Sequence, residues 1–328
     1  MRHPRIKSLT GTVVRCSTPV MTRIPLARRW RGLLTFLLGA MATLCVPAAR
    51  AAVTFPMYVS SGDQIVKVSP AGVVSPFATL PANSSPEGLA FDGSGNLYAA
   101  DPFTDQISKI TPGGTVSLFT TLPSGSNPFG LAFDAGGNLY AADNGTSQIS
   151  KITPGGAVSL FATLPSRPAG LAFDGGGVLY VSEANNDASN PEISKITSGG
   201  VVSPFATVTS PAGGLAFDSS GILYEANGPF PEHINQITSH GTVSSFATMP
   251  DFSELVGLAF DGSGNLYAAD VNFGDILEIS PDGLTVTPFA DIIGPQFLAF
   301  SNVPEPTSFM LLAVAAGSLL LRHRRSRA

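Results

Sequence analysis

The chain has 328 residues, 44% of them hydrophobic and only 12% charged, with 35 Gly, 27 Pro and a net charge of −5. This excludes a disordered or collagen-like chain and suits packed, turn-rich domains. The charge is uneven: residues 52–302 hold five basic and 22 acidic residues, a net −17, so nucleic acid is excluded as a partner and an anionic membrane surface is a poor one. Residues 1–51 come first and differ from the rest, with nine basic residues and no acid. Arg28, Arg29 and Arg31 precede an apolar run over 32–46, and Ala49-Arg50-Ala51 follows. Charged region, apolar region and small-residue site in that order predict a secretory signal peptide cleaved after Ala51. Met21 is an alternative start, and a membrane anchor is the competing reading, for which the run is short. Cys16, Cys45 and Trp30 all fall in this segment, so the exported protein is expected to carry no disulfide.

From residue 57 onward the chain repeats. GLAFDGSGNLYAAD occupies 88–101 and returns unchanged at 257–270. Between them lie GLAFDAGGNLYAAD, GLAFDGGGVLYVSE and GLAFDSSGILYEAN, starting at 130, 170 and 214. Steps of 42, 40, 44 and 43 residues mark a solenoid or propeller. All six tyrosines (Tyr58, Tyr98, Tyr140, Tyr180, Tyr224, Tyr267) share one slot. Each unit holds four runs of about five apolar or β-branched residues, split by Gly, Pro, Asp and Asn, as in GLAFD, NLYAAD, QISKI and TVSLF. That is strand and hairpin chemistry. Four antiparallel strands per unit predict a β-propeller blade. The first unit begins at MYVSS, 57–61, without a GLAF strand, and a spare FLAF stands at 297–300. The fold class expected is therefore all-β, a six-bladed propeller over 52–302 in which FLAF completes the N-terminal blade. Closing the ring removes exposed sheet edges.

The chain ends in VPEPTSFMLLAVAAGSLLLRHRRSRA, 303–328. Its apolar run, 308–321, is short for a full span, and the arginines after it favour the cytoplasmic side. Pro304, Glu305 and Pro306, the run, and Arg322, Arg324 and Arg325 in that order resemble the PEP-CTERM sorting signal. The resemblance implies an exosortase-type processing protease as partner and a surface or extracellular destination, with transient inner-membrane anchoring through this segment.

The repeat GLAFD-x-x-GNLYAAD-x-x-x-x-QISKITPGG resembles the NHL-repeat and streptogramin-lyase-like propellers and, more distantly, the regucalcin/gluconolactonase family. Gluconolactonase-like members imply an axial divalent metal held by Glu, Asn and Asp. Here Glu87 matches one ligand, while the equivalent slots are Phe129, Ala169, Gly213, Val256 and Gln296. A hard cation wants about six oxygens, so no metal and no cofactor are expected. A lyase needs a base, usually His. The propeller has only His233 and His240, both read as turn residues. Asp92, Asp134, Asp174, Asp218 and Asp261 open D-x-x-G turns, which the carboxylates brace. Asp101, Asp143, Glu183 and Asp270 share the slot after the second strand, and Lys67, Lys109, Lys151 and Lys195 one slot of the third. Both sets read as structural. Links on one face vary most, and Glu87, Phe103, Phe129, Phe230, Phe252 and Phe273 lie among them. Repeat proteins place variation on their binding face. The function expected is thus non-catalytic binding of a polysaccharide or envelope protein, with a lactonase- or lyase-like enzyme as the alternative.

Overall fold

The computed structural model describes residues 56–184, 192–208, 212–227 and 233–301. Ala49 and Ala51 of the predicted leader, Phe230, and the tail with Pro304, Glu305, Pro306, Arg322, Arg324 and Arg325 lie outside the described residues. Among the described residues there is no helix, and every strand belongs to one of six four-stranded antiparallel sheets. Blade I comprises Pro295–Phe300, Met57–Ser61, Gln64–Val68 and Val74–Thr79. Blade II comprises Leu89–Phe91, Leu97–Asp101, Gln106–Ile110 and Val116–Thr121. Blade III comprises Pro128–Phe133, Leu139–Asp143, Gln148–Ile152 and Val158–Thr163. Blade IV comprises Arg167–Phe173, Leu179–Ala184, Glu192–Ile196 and Val202–Thr207. Blade V comprises Ala212–Phe217, Leu223–Asn227, His233–Ile237 and Val243–Thr248. Blade VI comprises Leu255–Phe260, Leu266–Asp270, Asp275–Ile279 and Val286–Asp291.

The expected closure is present. Met57 pairs with Phe300, Tyr58 with Ala299 and Val59 with Leu298, so the last strand completes the first blade. The core is divided among six clusters, each between consecutive blades. Second strands read LYAAD without alternation because both faces are covered; all five residues of Leu97–Asp101 are buried. Each tyrosine wedges edge-on between a Phe of its own fourth strand and one of the next first strand. Tyr98, for example, meets Phe119 at 4.9 Å and Phe133 at 5.1 Å. Edge-to-face contact directs the ring quadrupoles favourably and adds about 0.5–1.5 kcal/mol per pair beyond area burial.

First strands meet around the axis backbone to backbone. A Cβ on Gly88 would stand 2.1 Å from the Phe129 carbonyl oxygen, and one on Gly130 2.3 Å from that of Ala169. The same clash recurs at Gly170, Gly214 and Gly257. These glycines are required by space rather than by φ. The sixth slot holds Phe297, which is buried in the cluster between blades I and II. Five junctions are therefore closed by glycine and the sixth is filled by an aromatic ring.

Candidate functional site

In an antiparallel blade the first strand begins where the second ends, so both open on one face of the disc. Pro128 pairs with Asp143, and the Glu87 N–H donates to the Ala100 carbonyl at 2.9 Å. At the axis, Phe129 and Val256 pack against the cluster that holds Tyr58, Leu89 and Phe297. Side chains from blades I, II, III and VI thus plug this end of the channel. Phe129 does not lie in a link, as the repeat alignment suggests; it is the second residue of a strand and half-buried. Glu87 stands beside the plug. Desolvation pushes its carboxyl up to about 7, and its Oε2 has no hydrogen-bond partner. Of the axial slots only Glu87 and Gln296 offer side-chain oxygen, so the residues here do not fit an axial divalent metal.

The acids at second-strand ends are buried and hold the links. Asp101 Oδ1 accepts from Phe103 N at 3.1 Å. Asp270 Oδ1 accepts from Glu254 N and Asn272 N, both at 3.1 Å, and Glu183 Oε2 accepts from Ser166 N at 3.1 Å. Asp143 takes Ser150 Oγ at 2.6 Å, and burial pushes its carboxyl up to about 7. The turn acids behave as expected: Asp92 Oδ1 accepts from Ser94 N and Asn96 N at 2.9 Å.

Blade V departs from blades II and III at two alternate cross-strand pairs, on one face of the sheet. Where blades II and III pair Ala99 with Ser108 and Ala141 with Ser150, blade V pairs Glu225 with Asn235. Where they pair Asp101 with Gln106 and Asp143 with Gln148, it pairs Asn227 with His233. Strand side chains alternate. Leu223 lies in the blade IV–V cluster, while Tyr224 and Ala226 lie in the V–VI cluster. Glu225, Asn227, His233 and Asn235 therefore all face blade IV and form a polar seam. Asn235 Nδ2 donates to Glu225 Oε2 at 2.8 Å, and His233 Nε2 lies 2.9 Å from the Asn227 amide. Glu225, Asn227 and Asn235 are buried; His233 is half-buried at the outer end. His233 is thus a strand residue in a network, not the turn histidine expected; His240 is the exposed one, beside Ser239. The signal was legible as Glu225 standing in an alanine slot.

Glu225 is fully buried, its Oε1 has no partner, and desolvation pushes its carboxyl from 4.5 up to about 7. The native state therefore keeps a proton that the unfolded chain loses. This contribution to stability is complete below pH 4.5 and falls as pH rises toward 7. Glu225→Gln removes the charge and is expected to stabilise the protein by on the order of 3 kcal/mol at pH 8 and by almost nothing at pH 4. Urea unfolding of both proteins at the two pH values checks it; equal differences at both would contradict a buried titrating carboxyl.

Phe103, Phe252 and Phe273 are exposed, at 77%, 64% and 57%, and the Asn272 amide ties the last two links by donating to the Phe252 carbonyl at 3.0 Å.

A profile of the virginiamycin B lyase family matches residues 38–279. Among curated proteins none matches by sequence. Solved structures share the fold. Virginiamycin B lyase from Staphylococcus aureus is 21% identical with a TM-score of 0.54, over 66% of this chain and 77% of that one. The nidogen/laminin complex contributes a chain 17% identical with a TM-score of 0.67, over 75% and 98%. A gluconolactonase from Xanthomonas campestris is 16% identical with a TM-score of 0.58, over 76% and 92%. In a further structure, a histidine-to-alanine virginiamycin B lyase from S. aureus, described as catalytically inactive, is seen with quinupristin. The family match overturns the expectation of a non-catalytic binding propeller. Shared repeats hid this, because strand and turn chemistry dominates the sequence and is common to binding and catalytic propellers alike.

Proposed function

The chain belongs to the virginiamycin B lyase family, and on that premise we propose that it is a lyase-like propeller enzyme acting at the blade IV–V seam. The observation that carries this is the polar seam of blade V, Glu225–Asn235 and Asn227–His233, which places a buried carboxylate where blades I–IV and VI carry Val or Ala. An elimination needs a base to remove a proton, and a neutral imidazole serves near neutral pH. His233 is the member of the seam that reaches solvent. Asn227 Nδ2 donates to its Nε2 at 2.9 Å, which holds the neutral ring as the Nδ1–H tautomer and leaves Nε2 as the basic nitrogen. Glu225 touches no solvent and accepts from Asn235 at the buried end of the seam.

Quinupristin, the compound seen with the S. aureus enzyme, is the first probe. Elimination that opens a ring gives a product of unchanged mass, whereas lactonase-type hydrolysis adds one water. Chromatography with mass spectrometry separates the two outcomes. His233→Ala is expected to lower turnover by about 10²–10⁴-fold, with the far-ultraviolet dichroism unchanged. Full activity in that variant would sink the assignment of the base.

A further inference from the structure

The opposite face of the disc carries a cavity of about 230 Å³ between blades VI and I, lined among others by Asp261, Asn265, Tyr267, Glu278, Phe289 and Phe300. Its frame is repeated elsewhere with an occupant. In blade II, Lys109 Nζ lies 5.3 Å from the centroid of Tyr98 and 4.0 Å from Asp92 Oδ2. In blade III, Lys151 Nζ lies 5.3 Å from the Tyr140 centroid and 4.0 Å from Asp134 Oδ2. Each blade's own third strand thus delivers an ammonium to a tyrosine ring and a turn aspartate.

Blade VI keeps the tyrosine and the aspartate and reverses the third residue. Glu278 is paired opposite Tyr267 where blade II pairs Lys109 with Tyr98. The Tyr267 hydroxyl now donates to Glu278 Oε1 at 2.9 Å, not to its aspartate as Tyr98 does at 3.3 Å. Asp261 is still presented by its turn, with Ser263 N and Asn265 N donating to Oδ1 at 2.8 and 2.9 Å. The result is two carboxylates and an aromatic ring around open space, with no Lys or Arg among the lining residues. Pro70 and Phe300 of blade I supply an apolar wall.

We propose that this cavity binds a primary ammonium on an alkyl chain, seated against Tyr267 between Asp261 and Glu278. The positive charge meets the negative face of the ring and both carboxylates, while the alkyl stem lies on Pro70 and Phe300. A free alkylamine and a protein-borne lysine share this chemistry. The site is on the face away from His233 and does not depend on the catalytic reading.

The test is titration of the purified full chain with n-butylammonium chloride, followed by the Tyr267 ring resonances, with sodium chloride at equal ionic strength as control. A saturable shift with the amine alone is expected. Glu278→Lys supplies the ammonium from within, as in blades II and III, and is expected to weaken binding at least about tenfold while the protein stays folded. Glu278→Gln, the residue type blade V carries at this position as Gln236, should weaken it less. Nα-acetyl-lysinamide binding more tightly than butylammonium would identify the protein-borne source, and the reverse the free amine. Absence of a saturable shift, or equal affinity in the parent and both variants, would overturn the site.

Discussion

Deletion of residues 295–301 should leave a protein that no longer folds cooperatively. The lost strand carries Phe297 and Leu298, 9% and 5% exposed, each worth about 1.5–3 kcal/mol on burial. It also strips the ladder from Met57–Val59, and Ser60 loses the donor Phe297 N at 3.0 Å and the acceptor Phe297 O at 3.2 Å. A loss above about 5 kcal/mol rivals the whole stability of many domains. Two sheet edges would be exposed together, inviting aggregation. Urea unfolding followed by circular dichroism measures the effect. A truncated chain that unfolds at the parent's midpoint would show that ring closure contributes little.

Gly130→Ala should cost about 3 kcal/mol or more, from the addition of one methyl group. The new Cβ would fall 2.3 Å from the Ala169 carbonyl oxygen and 3.2 Å from Gly170 Cα. Both are backbone atoms of a neighbouring blade, so relief requires moving a whole sheet, and overpacking of this kind is strongly unfavourable. Gly93→Ala is the control: nothing lies within 4 Å of its added Cβ, and its effect should stay within about 0.5 kcal/mol. Equal midpoints for the two variants would contradict the close backbone approach at the axis.

The repeat in the sequence was enough to establish the six blades, the strand order and the closure by 297–300, because strand period, turn residues and the Tyr slot are local properties copied in every unit. The turn role of Asp92 and its equivalents was legible for the same reason: the carboxylate bonds backbone only two and four residues away. Assignment of Phe129 and Val256 to an axial plug was not, since they belong to blades III and VI yet meet one cluster with Phe297, and only the curvature of the ring brings them together. Nor was the value of His233. Its meaning rests on Asn227 across a strand pair, on Glu225 being sealed by blade IV, and on the alternation that turns all three the same way. Local pattern decides which elements form. Desolvation and the partners of a side chain depend on which blade packs against it, and that is settled only when the ring closes.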